Sequence, residues 1–263
     1  MQNQNTPAAL DGTTGGTSLS LSPDESIHTL PQCGYRIIQK KGNFFFGIDA
    51  VLLTFFAHVK KSDAVVDLGT GTGIIPVLKA GTSSCTNFTG IELQKESALT
   101  AQKTVALNGL QDRIKIIEAD IRNLKPHFKK NSADVVISNP PYTGENSGVK
   151  NKSESLTAAR HETSCTISDV AKAASWLLNS SGKFFMIHKP NRLEEIFAAL
   201  KENALVPKRM RFVQPALEKA PNLVLIEAVK NARPFLKVEP PLVVYKAPGI
   251  YSDEVQEMYS DRK

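Results

Sequence analysis

The chain has 263 residues, a length that suits one α/β domain with small additions. Its hydrophobic fraction of 41% and charged fraction of 22% are typical of a globular protein with a substantial core. No apolar run reaches the roughly 20 residues of a membrane-spanning helix, and the first residues lack the pattern of a signal peptide. We therefore expect a cytoplasmic protein that does not bind membranes.

The charge is unevenly distributed along the chain. The formal net charge is +6, yet residues 1–30 contain three carboxylates and no Lys or Arg, so residues 31–263 carry +9. A basic body favours polyanionic partners such as RNA or DNA, although ordinary solubility explains it equally well. The three cysteines, Cys33, Cys85 and Cys165, match no zinc-binding spacing, which predicts reduced thiols and no metal.

Residues 1–61 predict a tail, a hairpin and a helix. Residues 1–30 are rich in Gln, Asn, Thr, Gly and Ser, which predicts a disordered tail. Residues 35–46 predict a hairpin, whose strands at 35–39 and 44–46 flank a turn. A helix is expected from about Asp49, which is well suited to be its N-cap.

From residue 62 onwards, predicted strands alternate with predicted helices. Such alternation predicts a parallel sheet with helices on both faces, and ligands bind such sheets beyond the carboxyl ends of the strands. A polar stretch at 143–164 predicts a long loop, and the last two strands predict an antiparallel pair. The predicted strands are 64–66, 87–91, 114–117, 135–137, 183–187, 209–213 and 223–229, and the predicted helices start near 75, 94, 168 (capped by Ser168) and 193.

A glycine-rich segment follows the first of these strands. Its sequence, Asp67-Leu68-Gly69-Thr70-Gly71-Thr72-Gly73, has the pattern GxGxG after an acidic residue. Glycine permits backbone angles closed to other residues and allows a ligand to approach the main chain. The pattern differs from the dinucleotide GxGxxG, and no lysine follows to meet a phosphate. The loop therefore suits a nucleoside ligand without phosphates.

Acidic residues also follow the next two strands. Glu92 ends the second strand and can accept hydrogen bonds from both hydroxyls of a ribose. Asp120 follows the third strand and can accept from an adenine amine. Each feature alone is weak, but the ordered set of three is more specific.

This set resembles the cofactor site of the class I methyltransferases. The resemblance implies a Rossmann-like fold with a mostly parallel seven-stranded sheet, an antiparallel C-terminal strand pair, and a preceding hairpin and helix. It implies S-adenosylmethionine as cofactor, with Asp67 bracing the loop, Glu92 on the ribose and Asp120 on the adenine. The other implied cofactor contacts are Gly69, Gly71, Gly73, Leu93, Ile121 and Asn139.

The fourth strand ends in Ser138-Asn139-Pro140-Pro141-Tyr142. Two prolines suit a rigid strand exit, but these residue types also suit a chemical task. The nitrogen of an adenine amine or a carboxamide is planar and a poor nucleophile. The side-chain oxygen of Asn139 can accept one of its N–H groups and the carbonyl of Pro140 the other, while the ring of Tyr142 stacks on a flat substrate. This mechanism needs no metal.

Further segments narrow the resemblance. Four segments together resemble the YfiC-type family, whose members methylate N6 of the tRNA adenine beside the anticodon in valine tRNA. They are residues 43–53, Arg160-His161-Glu162, His188-Lys189-Pro190-Asn191-Arg192-Leu193, and Ile250-Tyr251-Ser252 with Tyr259. The resemblance covers about residues 33–260. It implies a tRNA partner and substrate-side roles for Phe46, Asp49, Arg160, His161, Lys189 and Arg192.

Several alternatives stay open at this point. The motif Asn-Pro-Pro-Tyr also occurs in glutamine N5-methyltransferases that act on release factors, although those usually carry a helical lobe before the cofactor domain. A non-catalytic RNA-binding module is the third alternative. Phe46 suits core or hairpin packing more often than substrate contact, Arg160 and His161 equally suit helix capping, and Lys189 and Arg192 also suit a solvated surface. We expect a monomer with a tail at 1–30 and one methyltransferase domain at 31–263, made of a hairpin and helix at 31–61, a core at 62–230 and a C-terminal extension at 231–263.

Overall fold

The computed structural model describes residues 21–40, 47–142 and 165–260. No helix within these residues is long and apolar enough to cross a membrane. The helices are α1 Ile48–Phe56, α2 Ile74–Thr82, α3 Lys95–Leu107, α4 Ile167–Leu177, α5 Leu193–Glu202 and α6 Asp253–Tyr259. The strands are β1 Glu25–Thr29, β2 Arg36–Lys40, β3 Ala64–Leu68, β4 Asn87–Glu92, β5 Ile114–Glu118, β6 Ala133–Ser138, β7 Leu178–His188, β8 Leu205–Ala216, β9 Leu223–Lys230, β10 Lys237–Ala247 and β11 Ile250–Tyr251.

The main sheet has the strand order β11-β10-β8-β9-β7-β6-β3-β4-β5. Strands β3 to β7 are mutually parallel, whereas β9 is antiparallel to both of its neighbours, β7 and β8. The predicted mostly parallel sheet with an antiparallel C-terminal pair is therefore confirmed. The sheet is wider than the predicted seven strands, because β10 and β11 extend it beyond β8.

Alternate residues of the central strands face two separate hydrophobic clusters. Val65 and Val135 belong to one cluster, and their neighbours Val66 and Val136 belong to the other. Because successive side chains of a strand point to opposite faces, the two clusters lie on the two faces of the sheet. Helices α1, α2, α3 and α6 contribute to the first cluster, and α4 and α5 to the second. Both faces are thus covered, which leaves the strand ends as the place for a site.

The N-terminal hairpin differs from the prediction. Strand β2 pairs with β1, which precedes it, and the predicted partner strand at 44–46 lies outside the described residues. The predicted tail therefore ends too late, because residues 25–29 form a strand. The carboxylate of Glu25 is buried and meets the Lys103 amine of α3 at 2.9 Å, a contact between distant residues that tail composition does not reveal.

Two helix starts also differ from the prediction. Gly47 precedes α1 without a side-chain cap, and Asp49 lies inside the first turn instead of capping it. Thr166, and not Ser168, caps α4, because its hydroxyl accepts the Asp169 N–H while the Asp169 carboxylate accepts the Thr166 N–H. This reciprocal pair satisfies two backbone donors at once, so it outcompetes a cap two residues further on.

Candidate active site

The carboxyl ends of five parallel strands meet at one edge of the sheet. Leu68 of β3 is paired with Ile91 of β4 and with Ser138 of β6, and Glu92 of β4 is paired with Glu118 of β5. The chain runs from β3 outward to β5 and then returns to β6 on the other side of β3, so the strand order reverses between β3 and β6. This is the switch point at which such sheets form a ligand crevice.

The glycine loop lies at this switch point. Gly69, Gly71 and Gly73 all have positive φ angles, of 75°, 57° and 85°, which residues with a Cβ rarely adopt. A Cβ added to Gly69 or Gly71 would meet no atom within 4 Å, so the main chain there borders open space that a ligand can fill. These features are those expected of a loop whose main chain contacts a bound ligand.

Glu92 fixes the shape of this loop. Its side chain is only 8% exposed, and its two oxygens accept the N–H groups of Gly71 and Gln94, each at 2.9 Å. The backbone of Ile91 adds two hydrogen bonds, from the Gly69 and Thr70 N–H groups. Glu92 thus braces the loop, which is the part that the resemblance assigns to Asp67.

Among the residues that the structure describes, Asp67 is a buried carboxylate whose oxygens have no hydrogen-bond partner of good geometry. It is 2% exposed, and neither its oxygens nor the Thr70 hydroxyl makes a hydrogen bond of good geometry within the described structure. Burial raises the pKa of Asp67 to about 7; the nearby Thr70 hydroxyl opposes this rise, and the charge of Glu92 adds to it. Such an unpaired acid beside a glycine loop fits a ligand with a positively charged group.

The predicted adenine contacts follow β4 and β5. Leu93 is 41% exposed and Ile121 is 9% exposed, so Leu93 offers apolar surface that a flat ring can cover. Asp120 is held by the Arg122 guanidinium, with the nearest atoms 2.6 Å apart, and this hydrogen bond keeps the pKa of Asp120 below its usual value. The sequence does not reveal this pair, which a ligand amine would share or displace.

The motif after β6 contacts the first turn of α1. Asn139 donates through Nδ2 to Oδ2 of Asp49 at 3.2 Å, and the Tyr142 hydroxyl lies 2.8 Å from that same oxygen. The Tyr142 hydroxyl also lies 2.9 Å from Oδ1 of Asn139. Burial and the charge of Asp49 raise the pKa of Tyr142 above its ordinary value, so the hydroxyl stays protonated.

The two contacts of the Tyr142 hydroxyl, with Asp49 and with Asn139, compete for a single proton. The Tyr142 hydroxyl has one proton for two acceptors, and a carboxylate is the stronger acceptor of the two. Oδ1 of Asn139 therefore keeps acceptor capacity, and an N–H group from a ligand can use it. The geometry supports the acceptor role that the motif suggests for Asn139.

His188 is a buried residue of the site that the sequence reasoning did not select. It ends β7, and its ring packs edge-on against Tyr142 with the ring centroids 5.2 Å apart. Burial, and then the charge of Arg192, lower the pKa of His188 to about 4, and its Nδ1 accepts the Lys189 N–H at 2.8 Å. The ring is therefore neutral at pH 7 and restricts the position of Tyr142.

The remaining predicted residues lie in different situations. Lys189 is exposed just beyond β7, whereas Arg192 is paired with Glu195 through two contacts of 2.6 and 2.7 Å. Phe46, Arg160 and His161 lie outside the described residues. Within the described residues, no cluster of three or more His, Cys, Asp or Glu side chains could hold a metal ion.

Three features together define a class I methyltransferase. They are the reversal of strand order between β3 and β6, the glycine loop held by Glu92 at the end of β4, and the motif Asn-Pro-Pro-Tyr after β6. A family model confirms this class, because residues 46–208 match the methyltransferase small domain, and the chain belongs to that family. The comparisons thus confirm the predicted methyltransferase activity.

Named relatives and a solved structure agree with this assignment. A tRNA1(Val) (adenine(37)-N6)-methyltransferase of Tolumonas auensis is 27% identical, over 84% of this chain and 90% of its own length. A protein of the same name from Bacteroides thetaiotaomicron is 29% identical, over 81% and 87%. The crystal structure of a predicted O-methyltransferase from Agrobacterium tumefaciens superimposes on this chain with a TM-score of 0.65 and 21% identity. The match covers 80% of this chain and 95% of that protein, and it shows the shared fold.

Proposed function

We propose that this protein transfers a methyl group from S-adenosylmethionine to the N6 amine of an adenine in tRNA. The observation that carries this proposal is the amide of Asn139, which stands at the switch point with its Nδ2 tied to Asp49 and acceptor capacity on Oδ1. The relatives named for adenine 37 of tRNA1(Val) support that tRNA and that position as the substrate.

The residues of the glycine loop fit the cofactor. Gly69 and Gly71 leave room for its methionine part, and the buried acid Asp67 suits its positive charge. Glu92 holds the loop and keeps further lone pairs for the ribose hydroxyls, while Leu93 and Ile121 offer apolar surface to the adenine. The bound cofactor supplies an electrophilic methyl group, so the protein's own task is to bind, orient and activate the amine.

Asn139 and Pro140 perform this task at the target nitrogen. Oδ1 of Asn139 accepts one N–H and the Pro140 carbonyl accepts the other, which favours a tetrahedral nitrogen with a free lone pair. The ring of Tyr142 offers a face on which the base stacks, an interaction worth about 1–3 kcal/mol per base. A base within a duplex must first leave its stack, so an unpaired loop base is the easier target.

The test offers valine tRNA, DNA and a release factor side by side, with mass spectrometry of the products. We expect N6-methyladenosine in the tRNA alone, whereas methylated glutamine would support the glutamine enzyme. The resemblance places Asn139 among the cofactor contacts, but the proposal gives it no role in holding the cofactor. Asn139→Ala should therefore slow single-turnover methylation about 10²–10³-fold and leave cofactor affinity unchanged. A near wild-type rate in this variant, or a loss explained by weaker cofactor binding, would contradict the proposed mechanism.

A further inference from the structure

Asp49 contacts two residues of the motif after β6, the amide of Asn139 and the hydroxyl of Tyr142. Both of its carboxylate oxygens are engaged, because Oδ1 accepts the Ala50 N–H at 2.9 Å and Oδ2 faces Asn139 and Tyr142. A carboxylate can only accept hydrogen bonds, so this arrangement fixes the direction of every bond that it makes.

The direction matters because an asparagine amide has two ends of nearly equal shape. Rotation by 180° exchanges the oxygen, which accepts, and the NH₂ group, which donates. If Asn139 rotated, its oxygen would replace Nδ2 at 3.2 Å from the Asp49 oxygen, and two acceptors would then repel each other. Asp49 therefore disfavours the orientation in which Asn139 would present N–H groups to an incoming amine.

We propose that Asp49 is a positioning residue that sets the orientation of the Asn139 amide and so makes its Oδ1 the acceptor for the substrate amine. The proposal rests on the proposed function and changes the role of Asp49, because the resemblance places that residue on the substrate side. A residue that binds substrate acts mainly on KM, whereas one that orients a reacting contact acts on kcat.

The first experiment replaces Asp49 by asparagine, which keeps the shape but adds a donor. We expect Asp49→Asn to lower kcat for tRNA about tenfold or more, with KM, cofactor affinity and melting temperature near wild type. The matched control is Asp112→Asn, an equal change at an exposed position away from the site, which should leave kcat unchanged. A rise in KM alone, or an unchanged kcat, would overturn the proposal.

The second experiment exchanges the two side chains. Asn139→Asp alone places two carboxylates in contact, whereas the double variant Asp49→Asn/Asn139→Asp restores one donor and one acceptor with the acceptor at position 139. We expect the double variant to turn over at least tenfold faster than Asn139→Asp alone. Losses that simply multiply would show two independent contributions and would overturn the proposal.

A measurement without substrate separates this proposal from the proposed function. The side-chain amide resonance of Asn139 is identified by its loss in Asn139→Ala. It should shift in Asp49→Asn and stay in place in Asp112→Asn, because only the former replaces the charged acceptor of the hydrogen bond from Nδ2. An unchanged resonance overturns the positioning role even if tRNA is methylated, and a shift supports it even if another amine proves to be the substrate.

Discussion

The Tyr142 hydroxyl lies 2.8 Å from Oδ2 of Asp49, although the two residues are 93 positions apart in the chain. This contact joins the loop after β6 to the first turn of α1, which comes before the glycine loop in sequence. His188 packs on the Tyr142 ring as well. Tyr142 is thus held through its hydroxyl as well as through its ring, which restricts the direction of the ring face that we propose stacks on the base.

The contact changes what a mutation of Tyr142 should do. A purely stacking ring would tolerate Tyr142→Phe, but the loss of the hydroxyl removes a hydrogen bond to a carboxylate, typically worth about 1.5–3 kcal/mol. We expect Tyr142→Phe to lower kcat about tenfold with little change in KM, and Tyr142→Ala to raise KM as well. Steady-state kinetics on tRNA check this, and a wild-type kcat in Tyr142→Phe would show that the hydroxyl has no role.

Local sequence patterns predicted the strand ends well. The order of Asp67, Glu92, Asp120 and Asn139 predicted a crevice at one sheet edge, because parallel strands place their carboxyl ends together. The partners of these residues were not predictable. Asp49 and Asn139 are 90 positions apart, and no pattern in either segment shows that Asn139 donates a hydrogen bond to Asp49.

The C-terminal region shows a second limit of sequence reasoning. Strand β10 contains Pro240 and Pro241, which argue against a strand because proline lacks the N–H of a ladder. The strand forms nevertheless at the side of β8, and its register shifts between Glu239 and Leu242, around the prolines. The two prolines at this register shift therefore hide β10 from a prediction that looks for a regular run of strand-forming residues.

Asp67 should couple stability to pH with an unusual sign. Its pKa of about 7 in the folded protein exceeds the ordinary value of 3.8, so the folded state binds more protons between these values. Its contribution is fully present below about pH 4 and is lost as pH rises through 7. Asp67→Asn should therefore stabilise the protein relative to wild type, on the order of 1–3 kcal/mol at pH 8 and less at pH 5, while weakening cofactor binding.

Denaturant unfolding of both proteins at the two pH values measures this effect, and calorimetric titration measures cofactor affinity. Asp112→Asn is again the control, since its carboxylate is exposed. If the difference between Asp67→Asn and wild type is the same at pH 5 and pH 8, the acid does not titrate in this range.

Removal of β1 should destabilise the protein, contrary to what tail composition suggests. A chain that starts at residue 30 loses the pairing of β1 with β2 and the contact of Glu25 with Lys103. Compared with a chain that starts at residue 21, we expect a loss of about 1–3 kcal/mol in the free energy of unfolding. Glu25→Gln isolates the ion pair and should account for part of this loss. Equal melting temperatures for the two chains would show that β1 adds nothing to stability.

The last prediction concerns the basic surface near the site. Residues 183–246 contain 12 Lys or Arg and six Glu, with no Asp, yet several of these cations already have acidic partners. The structure pairs Lys183 and Arg209 with Glu227, Arg192 with Glu195, Arg211 with Glu254 and Lys246 with Asp253. A cation in an ion pair attracts a phosphate less strongly than an unpaired one. The net charge of residues 183–246 therefore overstates the number of cations available to bind RNA.

Lys189 differs from Arg192 in this respect. It is exposed directly beyond β7, at the sheet edge where the carboxyl ends of the parallel strands meet. It has no ion pair within the described part of the chain. We expect Lys189→Glu to weaken tRNA binding roughly tenfold at low salt and to reduce the slope of log affinity against log salt by about one, whereas Arg192→Ala has a smaller effect. Cofactor affinity should not change.

Lys201 provides the matched control. It lies in the last turn of α5, about 12 Å along the helix axis from Leu193 and away from that sheet edge. Lys201→Glu changes the net charge by the same amount as Lys189→Glu, so a long-range effect of charge alone would weaken tRNA binding equally in both variants. Filter binding at four or more salt concentrations distinguishes the two cases. Equal slopes for the two variants would show that Lys189 makes no phosphate contact and that the RNA approaches the site from another side.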